Sequence, residues 1–169
     1  MVPLCSAPRV LRALEESGDG VNVRLFTLRK LQEKHGLSDG QILEVVERMD
    51  DPLMVFRDGV HSYLFLLDMT AKNNDGVFAP VEAAIGLKKD NGMWMLSAYP
   101  LDHMDKIEKQ FKQKHLVYSK YRPEEINEAM GSANCAPGLS PDLMRLAVAH
   151  GFSENTITEG DVVKSGEGV

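Results

Sequence analysis

The chain has 169 residues, of which 43% are hydrophobic and 26% are charged, and its formal net charge is −6. This composition is typical of one globular domain, and the acidic balance excludes a general electrostatic attraction to nucleic acid, so that any such site would need a local basic patch. No apolar run reaches the roughly 18 residues of a membrane helix. The N-terminus lacks a signal-peptide pattern, and we therefore expect no membrane association.

The cysteine and histidine patterns indicate no metal site. Cys5 and Cys135 are too few and too far apart for a disulfide framework or a zinc motif, so a reducing compartment is the simpler expectation. Four histidines lie on separate predicted elements without a cysteine or carboxylate at metal-ligand spacing: His61, His103, His115 and His150. No glycine-rich phosphate loop follows a strand either, and we expect neither a metal nor a cofactor.

Helices are predicted before the main sheet. A minor helix around residues 10–14 is followed by a short strand over 21–26 and a helix over 28–35, which places His35 on the inward stripe. Ser38 and Gln41 then have capping-box spacing, and the next helix ends before Pro52. Leading helices of this kind are suited to cover one face of a sheet.

Four antiparallel strands are predicted next. Residues 53–57 and 60–69 read as strands around the turn dipeptide Asp58-Gly59, and residues 79–100 form a second hairpin around Asn91-Gly92. The result is a roughly four-stranded antiparallel meander.

The second hairpin has two distinct faces. Alternation puts one apolar set on one side: Val81, Ala83, Ile85, Leu87, Trp94, Leu96 and Ala98. The opposite side carries small and polar residues, and we expect it to be open: Glu82, Ala84, Gly86, Lys88, Met95, Ser97 and Tyr99. A two-residue turn at Asn91-Gly92 would pair Ala84 with Tyr99.

Helices dominate the prediction after the sheet. A lysine-rich helix includes Lys106 and Lys114 and carries the densest positive run in the chain, and a short strand over 116–119 follows it. A helix opens at Pro123, and another is capped by Ser140 and ends at Gly151. The predicted class is α+β, with a domain over 1–130 and a C-terminal helical extension and flexible tail over 131–169.

Several short strings, taken in order, resemble a nuclease family. The resemblance covers most of residues 3–130, and the strings are Ala7-Pro8-Arg9-Val10-Leu11-Arg12-Ala13-Leu14, Lys34-His35-Gly36-Leu37-Ser38, Asp51-Pro52-Leu53-Met54-Val55-Phe56, Ser97-Ala98-Tyr99 and Leu116-Val117-Tyr118-Ser119-Lys120. The family is the barnase, EndoU, colicin and RelE-like (BECR) nuclease superfamily, in the branch found as C-terminal domains of MuF-type phage and polymorphic toxin proteins.

The resemblance implies a fold, an activity and partners. Leading helices would pack on one face of an antiparallel sheet, and RNA, such as tRNA or another cellular RNA, would be cleaved on the other face without a metal. It also implies a neutralising immunity protein and action in the bacterial cytoplasm, with delivery as part of a phage or toxin polypeptide. No sequence feature indicates an oligomeric state.

The resemblance carries over to His35, Ser97 and Tyr99 as candidate catalytic residues. His35 suits acid or base work, although a buried histidine at a helix end that only binds a backbone carbonyl is equally compatible with the pattern. Ser97 and Tyr99 would contact the scissile phosphate, or are ordinary polar residues of a solvent-facing strand. Glu82 is a candidate base because alternation puts it on the same face as Tyr99.

Three basic residues are candidate phosphate ligands, and they can equally serve solubility: Lys34, Arg57 and Lys88. The chain departs from the nuclease pattern at Met93, where an asparagine is expected, and at Pro100-Leu101, where a lysine is expected. Loss of a cation near the scissile phosphate would weaken charge stabilisation. The alternative hypothesis is therefore a catalytically inactive member that acts as a protein- or nucleic-acid-binding phage module.

Overall fold

The computed structural model describes residues 2–14, 16, 18, 20–87, 92–101, 104–131 and 136–167. Within these residues, seven α-helices and one π-helical turn surround an eight-stranded mixed sheet. The strands are β1 (Val2–Cys5), β2 (Val21–Val23), β3 (Met54–Gly59), β4 (Ser62–Lys72), β5 (Phe78–Leu87), β6 (Trp94–Pro100), β7 (His115–Ser119) and β8 (Ile157–Thr158). The helices are α1 (Arg9–Ala13), α2 (Leu25–Glu33), α3 (Asp39–Met49), α4 (Met104–Gln113), α5 (Pro123–Gly131), α6 (Pro141–Leu146) and α7 (Glu159–Glu167), and the π-helical turn is Ala147–Gly151.

The sheet has the strand order β1-β2-β6-β5-β4-β3-β7-β8. Its four central strands, β3 to β6, are antiparallel neighbours and confirm the predicted meander. The predicted four-stranded sheet had no further strands on either side. In the structure, β2 pairs in parallel with β6 on one side, and β8 pairs in parallel with β7 on the other. These outer strands have three and two residues, too few to show an alternating pattern that would reveal their place.

The first face of the sheet packs against α1, α2, α3 and α7, as predicted for the leading helices. The capping box at Ser38 and Gln41 is present, and it begins α3, whose inward stripe is Ile42, Val45 and Met49. The apolar side of β5 and β6 belongs to the same buried cluster: Val81, Ala83, Ile85, Trp94, Leu96 and Ala98. Burial of this stripe is the main reason that these helices dock on the sheet.

The second face, predicted to be open, is largely covered. A second buried cluster joins β3, β4 and β7 to α4, α5, α6 and the π-helical turn, and Phe111 of α4 packs edge-to-face on Phe56 with ring centroids 5.0 Å apart. The prediction relied on the small side chains of β5 and β6, whereas β3 and β4 present large apolar residues such as Leu64 and Leu66 to this side. The fold is consequently a three-layer sandwich of helices, sheet and helices.

The hairpin of β5 and β6 differs from the predicted register by two residues. Ala84 pairs with Ser97, and Glu82 pairs with Tyr99, where the two-residue turn predicted Ala84 opposite Tyr99. Because the side-chain period of a strand is two, this shift changes each residue's partner but keeps it on its predicted face. The predicted turn dipeptide includes Asn91, which lies outside the described residues.

The C-terminal segment adds a strand as well as helices. β8 pairs with β7, and Val162 of α7 is buried in the first cluster, where the prediction expected a flexible tail. Glu159 holds this segment in place, because it accepts hydrogen bonds from Tyr118 Oη at 2.7 Å and from Arg9 Nη2 at 3.0 Å. Among the described residues, no helix has the length and apolar character needed to cross a membrane.

Candidate functional site

A buried carboxyl group lies at the centre of the candidate site. Glu82 on β5 is only 1% exposed, and its direct cross-strand partner Tyr99 donates a hydrogen bond from Oη to Glu82 Oε1 at 3.0 Å. Gln110 of α4 closes the group from the helix side, with Nε2 at 2.8 Å from both carboxyl oxygens. The two strands of one hairpin and a following helix thus meet at one carboxyl group.

Burial has the largest effect on the pKa values of Glu82 and Tyr99. It raises the pKa of Glu82, and the hydrogen bonds from Gln110 and Tyr99 oppose that shift only in part. Burial and the neighbouring Glu82 charge also raise the pKa of Tyr99, so the phenol stays protonated at neutral pH. The outcome is a proton-binding carboxyl group linked by one hydrogen bond to a neutral hydroxyl.

His35 lies beside this pair. Its backbone N–H donates to Lys30 O at 3.3 Å just after the end of α2, and the chain then reverses at Gly36, which has a left-handed φ of 64° that favours glycine. The half-buried imidazole lies 6.2 Å from the Tyr99 ring between centroids, tilted by 45°. The imidazole therefore reaches the side of the sheet that carries Glu82 and Tyr99.

Ser97 shares the face of Glu82 and Tyr99. It precedes Tyr99 by two residues on β6, lies directly opposite Ala84, and is half-buried. The parallel ladder between β2 and β6 ends at the pair of Asn22 and Met95 in the described part of the chain. Ser97 therefore lies on the segment of β6 beyond this ladder, on the same strand as Tyr99.

The predicted phosphate ligands do not join this group as a set. Arg57 is exposed, and its cross-strand partner Tyr63 belongs to the cluster on the first face, opposite to Glu82. Lys34 is exposed at the C-cap of α2, next to His35 in the chain. Lys88 lies outside the described residues. Of the two that the structure describes, Lys34 is next to a residue of the site in the chain, and Arg57 lies on the other face of the sheet.

Gln110 was missed by sequence reasoning, although a local signal exists. It lies three residues after Ile107 and directly before Phe111, which are both buried, in a helix whose other polar positions are mostly charged. An uncharged amide beside the inward stripe of such a helix indicates a partner on the sheet. Its own Oε1 is buried and has no hydrogen-bond partner among the described residues.

Two further charges act on the site from a distance. Asp58 raises the pKa of both Glu82 and Tyr99, and Lys106 of α4 lowers the pKa of Glu82. Lys114 binds Asp58 at 2.6 Å, which offsets part of that negative charge. Among the described residues, no group of three or more histidine, cysteine, aspartate or glutamate side chains is placed to hold a metal ion.

This arrangement is suited to proton transfer. A carboxyl group with a raised pKa binds a proton closer to neutral pH, and the Tyr99 hydroxyl connects it to the half-exposed rim where His35 and Ser97 lie. Glu82 itself is closed to solvent by Gln110. Any substrate would then meet His35, Ser97 and Tyr99 before Glu82.

Comparison with protein families relates the chain to a phage domain. The model of the phage MuF C-terminal domain matches residues 27–122, which is more than half of the chain. The matched range contains His35, Glu82, Ser97, Tyr99 and Gln110. Neither a curated protein nor a solved structure matches the chain.

Proposed function

The chain belongs to the phage MuF C-terminal domain family, and from this premise we propose that it is a metal-independent endoribonuclease of the phage or toxin type, with the BECR fold and mechanism. The observation that carries the proposal is the 6.2 Å approach of the His35 ring to Tyr99, which is itself hydrogen-bonded to Glu82. These are the acid and base groups that cleavage at a ribose 2′-hydroxyl requires.

The proposed base is Glu82, acting through Tyr99. The Tyr99 hydroxyl already donates its proton to Glu82, so its oxygen is available to accept the proton of the 2′-hydroxyl while its own proton passes to the carboxylate. The raised pKa of Glu82 strengthens it as a proton acceptor near neutral pH. The 2′-oxygen then forms a bond to the adjacent phosphorus.

The proposed acid is His35. As the bond between phosphorus and the 5′-oxygen breaks, protonated His35 donates its proton to that oxygen, and the products are a 2′,3′-cyclic phosphate end and a 5′-hydroxyl end. The Ser97 hydroxyl donates to a phosphoryl oxygen, since the Tyr99 proton is engaged by Glu82. Lys34, adjacent to His35 in the chain, supplies positive charge for the RNA backbone.

The test is an RNA cleavage assay in EDTA. Purified wild type is incubated with labelled mixed-sequence RNA beside His35→Ala and, as a matched control, His150→Ala, which removes an exposed histidine from the π-helical turn. We expect cyclic-phosphate ends from wild type and His150→Ala, and a rate lower by about 10² or more for His35→Ala. Inert wild type at high protein concentration, or equal rates for the two variants, would contradict the proposal.

The second candidate function is a binding module without catalysis. It is favoured by the closure of Glu82 behind Gln110, by Met93 and Leu101 at positions where the nuclease pattern has an asparagine and a lysine, and by the net charge of −6. In that case labelled RNA should bind with saturation, or fail to bind, and remain uncut by wild type and His35→Ala alike.

The partners follow from the proposed activity. A ribonuclease of this type acts on cellular RNA in the cytoplasm of a bacterial host, and a neutralising protein would protect the cell that makes it. The same cleavage assay, repeated with candidate neighbouring gene products, measures such protection as a loss of cyclic-phosphate ends.

A further inference from the structure

A second polar group lies on the first face of the sheet, at the turn between β3 and β4. It consists of Glu16, Arg57, His61, Tyr63 and His115, and is called the Arg57 cluster below. Arg57 on β3 is flanked in register by Tyr63 on β4 and His115 on β7, so the three side chains project from the same face. None of these residues belongs to the Glu82 site.

Hydrogen bonds connect four members of the Arg57 cluster in a chain. Arg57 Nη2 donates to Tyr63 Oη at 3.3 Å, and Tyr63 Oη donates to Glu16 Oε1. The other carboxyl oxygen of Glu16 contacts His61 Nδ1 at 2.7 Å. The guanidinium also lies over the Tyr63 ring at 5.7 Å from its centroid. The buried middle of the chain therefore orients its two outer ends.

His61 has an unusual backbone at this position. Its φ of 56° is in the left-handed region and is the only such value at a described residue other than glycine. The ring is held there by Glu16, which lies 45 residues earlier in the chain and has a side chain only 10% exposed. The left-handed φ belongs to the tight turn of Val60 and His61 between Gly59 and Ser62, and the distant partner Glu16 fixes the direction of the ring.

The outward groups of the Arg57 cluster are positively charged or protonatable. Arg57 and His115 are exposed, and the His61 side chain is 43% exposed. Arg57 uses one nitrogen for Tyr63, and among the described residues no carboxylate forms an ion pair with it. The nearby carboxylates are already engaged, since Glu16 binds Tyr63 and His61, and Asp58 pairs with Lys114 at 2.6 Å.

We propose that the Arg57 cluster binds a phosphate group, with Arg57, His61 and His115 as the contacting residues and Glu16 and Tyr63 as positioning residues. A guanidinium presents parallel N–H donors that match phosphate oxygens, and two imidazoles add donors at its sides. The phosphate comes either from free phosphate or from an RNA backbone. The site does not involve His35, so it stands independently of the proposed cleavage.

The first test is an NMR titration of isotope-labelled protein with inorganic phosphate. We expect saturable shifts of the His61 and His115 ring signals, and an affinity weakened about tenfold or more in Arg57→Gln. Lys72→Gln is the matched control, because it removes an exposed positive charge elsewhere on β4, and should change affinity by less than about twofold. Arg57→Lys keeps the positive charge but loses the parallel N–H donors of the guanidinium, so its phosphate affinity should lie between those of Arg57→Gln and Lys72→Gln.

A second arm uses a short RNA oligonucleotide with the His35→Ala protein, in which any cleavage is expected to be slower by about 10² or more. NMR shifts of the His61 and His115 ring signals with RNA but not with inorganic phosphate would indicate that the bound phosphate belongs to an RNA backbone. Glu16→Gln should weaken whichever ligand binds, with a retained near-UV circular dichroism spectrum. Unsaturated shifts with both probes, or equal weakening by Arg57→Gln and Lys72→Gln, would overturn the phosphate site and leave the cleavage assay unaffected.

Discussion

The hydroxyl group of Tyr99 donates a 3.0 Å hydrogen bond to Glu82, its direct partner across two antiparallel strands. The carboxyl group that accepts this bond is 1% exposed, and its other hydrogen bonds within the described part of the chain come from one amide, Gln110. Most buried carboxyl groups have a cationic partner or several donors. This carboxyl group is held by a phenol and an amide. Its protonation and its effect on the free energy of unfolding can therefore be measured with variants of Glu82 and Tyr99.

Glu82→Gln should alter how stability depends on pH. Burial raises the pKa of Glu82, so the folded state binds this proton more tightly than the unfolded state. The resulting stability is fully present below the ordinary carboxyl pKa of about 4.3 and is lost as pH rises through the raised pKa of the folded state. Because Gln does not titrate, the variant should gain stability relative to wild type as pH rises from about 4 through the raised pKa of Glu82 in the folded state.

Urea unfolding at several pH values measures this difference. Glu128→Gln on α5 removes the same charge at an exposed position and is the matched control. A Glu82→Gln curve parallel to wild type across the whole range would contradict the direction assigned to the Glu82 pKa.

Tyr99→Phe should destabilise the protein by about 1–3 kcal/mol, because it leaves a buried carboxyl oxygen without its hydroxyl donor. A double-mutant cycle with Glu82→Gln isolates the interaction, and a coupling of about 0.5–3 kcal/mol is expected in chemical denaturation. Additive effects of the two substitutions would mean that the hydrogen bond contributes nothing to stability.

Phe111→Ala should cost about 3–5 kcal/mol, since the ring is buried against Phe56 in the second cluster. Phe26→Ala is the matched control: this ring is 78% exposed on α2, and its removal should change stability by less than about 0.5 kcal/mol. Thermal unfolding of both variants measures the contrast. Similar values for the two would contradict the packing of α4 on the sheet.

A chain that ends at residue 130, the predicted domain boundary, should fail to fold cooperatively. It would lose Leu143, Met144 and Ala147, which share a buried cluster with Phe56 and Leu66. The short chain should bind a hydrophobic dye at its uncovered face and should lose its near-UV circular dichroism signal. The chain of residues 1–169 should bind little dye and keep the near-UV signal. Cooperative unfolding of the short chain would instead support the predicted boundary as a true domain limit.

Local patterns were sufficient for several parts of the structure. The capping box at Ser38 and the two faces of the second hairpin follow from interactions among residues close in sequence. The predicted turn at Asp58-Gly59 was wrong by two residues, because both belong to β3 and Gly59 pairs with Ser62, which leaves Val60 and His61 as the turn. The placement of Glu82 and Tyr99 on one face was also predicted, because it depends only on strand alternation. A register shift of two residues left that prediction intact.

The contacts across the site could not be predicted in the same way. Gln110 meets Glu82 across 28 residues, and Glu16 meets His61 across 45 residues. Arg57, a predicted phosphate ligand, lies on the face of the sheet opposite to Glu82, because it pairs in register with Tyr63. Such contacts depend on which helix covers which face, and this choice has no local signature.

The sequence by itself determined the class of the central strands, the inward stripe of α3 and the relation to a phage MuF-type domain family, because each depends on short-range spacing or on short strings of residues. Only the tertiary structure decided that a second layer of helices covers the far face, that β2 and β8 extend the sheet in parallel, and that His35 reaches Tyr99. The physical reason is that these features follow from burial of apolar area summed over the whole chain, a quantity that no single segment contains.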